Sequence, residues 1–202
     1  MLEKNQKDVW NSLYKNNFSW NLEPKIPNVC KGKIVLELGV GTGKTLHSIL
    51  NQKPKEVYAI DFSEKSIKIC KEKFKSKNIF FHNINIKKMP FKNNHFDIAV
   101  CYFILNNLNK SERIKAVSEI KRVLKSKGIV LFRDFLSGDY RELSFNKKGF
   151  SKSGRFCHFF KEKEIESLFF QFSTKKIKLE TLKPIRKNPE LKRHFIEGIL
   201  IK

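Results

Sequence analysis

The sequence predicts an α/β fold: a doubly wound, mostly parallel seven-stranded sheet with helices on both faces, closed by a C-terminal antiparallel hairpin. Three observations carry the prediction. Between Lys33 and Phe135, short apolar runs of strand length alternate with longer runs whose apolar residues recur at helical spacing. The links between them are short, and such alternation gives parallel strands joined by right-handed crossovers. Near the end, two strand-like segments, 176–182 and 194–201, follow one another as the arms of a hairpin do.

Taken in order, residues 1–31 set Trp10, Tyr14, Phe18 and Trp20 among polar neighbours and end at Pro24 and Pro27. The spacing of Trp10, Leu13 and Tyr14 predicts a short amphipathic helix, either a lid or cap over a ligand or a packing element. Strand 33–38 leads to helix 43–52, and strand 56–61 leads to helix 63–76, with Ser63 as its N-cap. NIFFHNINI, 78–86, predicts a third strand before the turn at Met89-Pro90-Phe91. FDIAVCYFIL, 96–105, predicts a fourth, followed by a helix over 110–125, a turn at KSKG, 125–128, and a fifth strand over 129–135. Residues 136–157 are polar and basic, with Gly138, Gly149 and Gly154, and read as a long loop. Long loops in compact domains are often functional, and this one is the candidate substrate loop. Helix 161–172 precedes the hairpin.

At 202 residues the chain suits one domain, 1–202, with a single substantial core. No apolar run approaches the ~20 residues of a membrane span, and MLEKNQKDVW has no apolar signal segment. A cytoplasmic protein is expected. Cys30, Cys70, Cys101 and Cys157 are scattered without a CxxC pair, so neither a metal site nor a disulfide framework is expected. The formal net charge of +22 calls for a polyanionic partner such as RNA. Only seven of the 42 basic residues are Arg, and the Lys excess beside abundant Asn, Ile and Phe also follows from AT-rich coding. Nothing in the sequence sets an oligomeric state.

KIVLELGVGTGKT, 33–45, is a buried strand, a turn with Gly39, Gly41 and Gly43, and a helix start, the arrangement that nucleotide-type ligands require. The ending imitates a phosphate loop, but Gly39 to Gly43 is one residue too short for GxxxxGK[ST]. A dinucleotide fingerprint fails too, because the position for its third glycine holds Lys44.

ELGVGTG resembles instead the E/DxGxGxG first motif of class I S-adenosylmethionine (SAM)-dependent methyltransferases, with Glu37 in the acidic position. The resemblance continues in order over residues 33–132. AIDFS puts Asp61 at the end of the second strand, where the family's acid takes the ribose hydroxyls, beside Phe62. NINIKKMPF resembles DxxxLPF, with Asn85 where Asp is usual and Ile86 beside it at the adenine. HFDIAVCYFILNNL resembles the FDxV strand, with Cys101 and Phe103 flanking the cofactor, and EIKRVLKSKGIVLF resembles the RVLKPGG segment. The resemblance implies a Rossmann-like fold, SAM as cofactor, and methyl transfer by SN2 displacement, in which positioning and electrostatics supply most of the acceleration.

FRDFLSGDYRE and GRFCHFFKEKEIESLF resemble the C-terminal part of tRNA 3-methylcytosine methyltransferases, with similar runs in wobble-uridine methyltransferases. Arg133, Asp134, Asp139, Arg141, Arg155 and His158 hold the matching positions, although the N-terminal extension is shorter. A tRNA base is the implied acceptor. On that reading Arg133 and Asp134 are the candidate catalytic pair that orients it, or else an ion pair that braces the loop. Tyr102, Asn106 and Asn107 line the acceptor pocket, with Arg141, Arg155 and His158 as further contacts; His158 among Phe156, Phe159 and Phe160 equally suits packing. Lys147, Lys148, Lys152 and Arg155, with Lys183, Arg186, Lys187, Lys192 and Arg193, form two basic groups for phosphate contacts. A small-molecule or protein acceptor fits the same core, and so does a non-catalytic binding module.

Overall fold

A computed structural model describes residues 5–16, 24–182 and 191–202. Phe18 and Trp20 of the N-terminal aromatic group, and Lys183, Arg186 and Lys187 of the second basic group, lie outside the described residues.

The sheet has seven strands: β1 (Ile34–Leu38), β2 (Glu56–Asp61), β3 (Ile79–Asn83), β4 (Phe96–Tyr102), β5 (Leu124–Phe135), β6 (Ser173–Leu182) and β7 (Arg193–Ile201). Their order is β3-β2-β1-β4-β5-β7-β6. The first five run parallel, and β7 inserts antiparallel between β5 and β6. The helices are α1 (Gln6–Lys15), α2 (Lys44–Leu50), α3 (Glu64–Lys73), α4 (Lys110–Val123) and α5 (Glu162–Leu168). Strand order reverses between β1 and β4, and ligands bind beyond the carboxyl ends of the strands at such a switch.

Both sheet faces are buried, which is why the parallel strands read as unbroken apolar runs rather than alternating ones. Leu36, Leu38, Ile60, Ala99, Val130 and Phe132 join Ala116, Val117 and Ile120 of α4 and Ile165 of α5 in one core. Val35, Val57, Ala59, Ile98, Val100 and Leu131 join Leu46 and Ile49 of α2 and Ile67 and Cys70 of α3 in the other. Fully burying each of the Val, Leu, Ile and Phe side chains contributes roughly 1.5–3 kcal/mol. Helix starts follow local chemistry. Ser63 Oγ accepts the Ser66 N–H at 3.2 Å, and Asn109 with Glu112 forms a capping box at α4.

Several predicted boundaries move, each for a visible reason. The fourth strand stops at Tyr102, because Phe103 turns into the left-handed region at φ 58°. The third stops at Asn83, because a turn opens just beyond it, where Asn85 Oδ1 accepts the Lys87 N–H at 3.0 Å. KSKG is not a free turn but an irregular part of β5. The register jumps from Phe96–Leu124 to Ile98–Ile129, and the backbone of Lys127 and Gly128 bonds Lys202 at 3.2 and 3.0 Å. The loop 136–157 holds a 3-10 turn, Tyr140–Ser144, and single bridges Phe145–Ser151 and Phe150–Phe156. Helix 161–172 is shorter, Glu162–Leu168, and β6 begins at Ser173. Among the described residues no helix is long and apolar enough to cross a membrane, and no group of three or more His, Cys, Asp or Glu stands ready to hold a metal.

Candidate active site

The carboxyl ends of β1 to β4 open into a cavity of about 570 Å³, within the range of small-molecule sites. Its floor is the glycine turn. The Gly39 and Val40 N–H groups both donate to Ile60 O, at 2.8 and 2.9 Å, which folds the turn back over β2. All three turn glycines have positive φ, and at Gly39 (φ 70°) a Cβ would also lie 1.9 Å from Ile104 Cδ1. Asp61 Oδ2 accepts the Gly41 N–H at 3.0 Å and Oδ1 accepts the Ser63 N–H at 2.9 Å. Ser66 Oγ donates to Gly41 O at 2.8 Å, so the first residues of α3 grip the same turn. Burial raises the Asp61 carboxyl above its ordinary value, and the N–H groups of Ser63 and Gly41 oppose that rise.

Phe62, Asn85 and Ile86 line the same cavity beside Asp61. Asn85 Oδ1 accepts the Lys87 N–H at 3.0 Å, which fixes the turn after β3. Glu37 lies behind the glycine turn, 2% exposed, and its Oε2 has no hydrogen-bond partner among the described residues. Burial first, and Asp61 second, push its carboxyl well above the ordinary range. An acceptor-only carboxylate beside close backbone, an apolar slot and a turn carboxamide suit a ligand with a vicinal diol, a planar base and a compact charged end.

The far wall is aromatic and cationic. Phe103 stands 5.0 Å from Phe135 and 5.8 Å from Phe195, centroid to centroid. The Arg141 guanidinium lies 4.0 Å from the Phe135 ring centre. Asp139, 1% exposed, holds Arg141 in two bonds of 2.7 and 2.6 Å and also accepts the His194 N–H at 2.8 Å. Tyr102, Asn107 and Arg141 line the cavity as predicted, as do Trp10 and Tyr14 of α1, the predicted lid or cap.

Eight predicted site residues stand off the cavity wall. Gly43 and Cys101 pack: a Cβ on Gly43 would lie 2.3 Å from Phe74, and Cys101 is wholly core. Glu37 backs the glycine turn. Arg133 and Asp134 alternate to opposite faces of β5. Arg133 Nη1 bonds Glu197 at 2.8 Å, its Nη2 pairs with Glu180, and its guanidinium lies 4.7 Å over Phe195. Asp134, fully buried, accepts the N–H groups of Asn106 and Phe135, each at 3.0 Å. Asn106 is itself buried, and its carbonyl accepts the His158 N–H at 2.7 Å. His158 bonds Glu164 at 3.1 Å and stacks edgewise on Phe160, which fits the packing alternative. Arg155 lies over Phe145 and Trp10, at 5.0 and 5.8 Å. Arg133 and Asp134 therefore do not pair with each other as the bracing alternative required: Arg133 ties β5 to the hairpin, and Asp134 holds the turn after β4.

Cavity residues that sequence reasoning missed include Gln6, Lys7, Ile104, Phe135 and Glu112. Phe135 was legible as the last residue of an apolar strand, whereas Gln6 carried no local signal.

Residues 35–128 match the methyltransferase domain family. The chain is similar to the tRNA N(3)-cytidine methyltransferase METTL2 of Mus musculus, 31% identical over 160 residues, covering 71% of this chain and 41% of that protein. It is also similar to the tRNA N(3)-methylcytidine methyltransferase trm141 of Schizosaccharomyces pombe, 22% identical over 98% of this chain and 92% of that one. The chain thus spans about two fifths of the length of METTL2 and nearly all of trm141. A SAM-dependent methyltransferase of Methanosarcina mazei superposes with a TM-score of 0.73 at 19% identity, over 89% of this chain and 99% of that one.

Proposed function

From the premise that this chain carries a methyltransferase domain with the SAM-dependent methyltransferase fold, we propose that it transfers a methyl group to a base of tRNA. Bound in the cavity, SAM supplies a methyl group on a positively charged sulfur, open to in-line displacement.

The chain's own residues bind and orient. The Asp61 carboxylate, already aimed by Gly41 and Ser63, accepts the two ribose hydroxyls. Asn85, Ile86 and Phe62 hold the adenine, and the absent side chains of Gly39 and Gly41 let the remainder lie against backbone. Glu37 packs beneath the turn and Gly43 sets its exit into α2. Opposite, Tyr102, Phe103, Phe135 and Asn107 form a slot for a flat acceptor, with Arg141 at its edge, an arrangement suited to stacking an unpaired base. Asp134 and Asn106 hold the strained turn after β4 that presents Phe103, and Arg133 braces β5 against the hairpin. Phosphates meet Lys147, Lys148 and Lys152, all exposed on the 136–157 loop. The whole chain acts as one domain in the cytoplasm.

The observation that carries the reading is the union, in one cavity, of the Asp61–Gly41 unit with the aromatic wall and Arg141. Tritiated SAM incubated in parallel with total tRNA, a protein extract and a small-molecule extract tests it. Label is expected in tRNA; label confined to either other fraction ends the tRNA reading, and label in none of the three argues for a non-catalytic module.

A further inference from the structure

The helix α1 spans the cavity and touches both of its halves. At the β2–α3 corner Ser63 Oγ donates to Asn11 Oδ1 at 2.6 Å, and Lys7 pairs with Glu64 at 2.7 Å. Tyr14 overhangs the glycine turn, its hydroxyl 3.1 Å from where a side chain on Gly41 would begin. At the other side Gln6 Nε2 donates to Gly154 O at 3.0 Å, and the Phe156 N–H donates to Gln6 Oε1 at 3.0 Å, across 150 residues of sequence. A carboxamide that donates to and accepts from main chain two residues apart reproduces a rung of a β-ladder. The rung brackets Arg155, whose guanidinium lies over Trp10 of the same helix.

Resting on the methyltransferase reading above, we infer that Gln6 is a positioning residue that couples the two halves of the site. Gly41 and Asp61 hold the cofactor, α1 settles over it, and Gln6 fixes the turn 149–157 with Arg155 in its acceptor-binding arrangement. Ordering α1 once for the cofactor removes part of the ordering cost of the acceptor, which makes the two bindings cooperative. Linkage requires the coupling to be reciprocal.

The test measures affinity for total tRNA with and without saturating S-adenosylhomocysteine, in the full chain and in Gln6→Met and Gln6→Ala. In the wild type the cofactor product is expected to tighten tRNA binding about tenfold, within the ordinary range of coupling. In both variants the ratio falls to about one, although each ligand still binds alone. A merely structural role would lower the thermal midpoint and leave the ratio unchanged; a wild-type ratio in both variants overturns the inference. A second readout needs neither variant nor RNA. S-adenosylhomocysteine is expected to slow hydrogen exchange at the Phe156 amide of the wild type roughly tenfold. Unchanged exchange with the ligand bound overturns the coupling. Failure of tRNA to bind ends the tRNA reading instead, and the Phe156 amide still decides the coupling.

Discussion

Asp61 Oδ2 accepts the Gly41 N–H at 3.0 Å, so the acid at the end of β2 and the glycine turn after β1 form one hydrogen-bonded unit. The relationship explains how a carboxylate only 4% exposed keeps its aim at the cavity. Each oxygen is held by a different backbone N–H, leaving lone pairs toward the ligand.

Asp61→Asn should therefore weaken S-adenosylhomocysteine binding about 10- to 100-fold, since it removes a charged acceptor and turns an NH₂ toward one of two backbone donors. Calorimetric titration checks this. Unchanged affinity would remove the ribose role assigned to Asp61.

Gly39→Ala should destabilise the fold by about 2–4 kcal/mol, combining left-handed backbone strain with a steric clash. The clash has a named partner, Ile104 Cδ1 at 1.9 Å from the new Cβ. A double-mutant cycle with Ile104→Ala should show a favourable interaction energy of about 1 kcal/mol or more. Strict additivity in chemical denaturation would contradict that geometry.

Burial raises the Asp134 carboxyl to about 8, against the opposing pull of the Phe135 and Asn106 N–H groups and Arg113. Its folded value lies above its unfolded one, so folding takes up a proton. The resulting stability is complete below about pH 4 and is lost as pH rises through about 8. Between those limits stability should fall by up to about 1.4 kcal/mol per pH unit. Burial also raises Glu37 and Asp61, with the same sign, so the contribution of Asp134 is read as the difference between wild type and Asp134→Asn. Parallel pH profiles for the two proteins would refute it.

Arg133→Met should cost about 2 kcal/mol of stability, because Glu197 and Glu180 lose a shared, largely buried partner. At a temperature where the variant is folded, kcat/KM for tRNA should stay within about threefold of wild type, which is less than 1 kcal/mol of transition-state stabilisation. A loss of about a hundredfold or more would restore the catalytic reading of Arg133.

If tRNA phosphates meet the exposed loop lysines, log K should fall linearly with log salt. Replacing Lys147, Lys148 and Lys152 together by Ala should then flatten the slope by about 2–3, near 0.7–0.9 per lost contact. An identical slope in the triple variant would move the RNA surface elsewhere.

The sequence by itself determined the sheet, the glycine turn and Asp61, because strand–helix alternation and tight-turn glycines are local consequences of burial and backbone sterics. The family resemblance, rather than local pattern, pointed to Asn85, Ile86, Phe103, Tyr102, Asn107 and Arg141, all of which line one cavity. Only the tertiary structure decided which way Arg133 and Asp134 face, because strand alternation gives them opposite faces and packing alone selects which face meets the cavity. It alone brought Gln6 to Gly154 and Phe156, a contact of two polar side-chain atoms with backbone 148 and 150 residues away. Such a contact leaves no periodicity in the chain. It depends on where α1 comes to rest over a cavity that the other elements must first build.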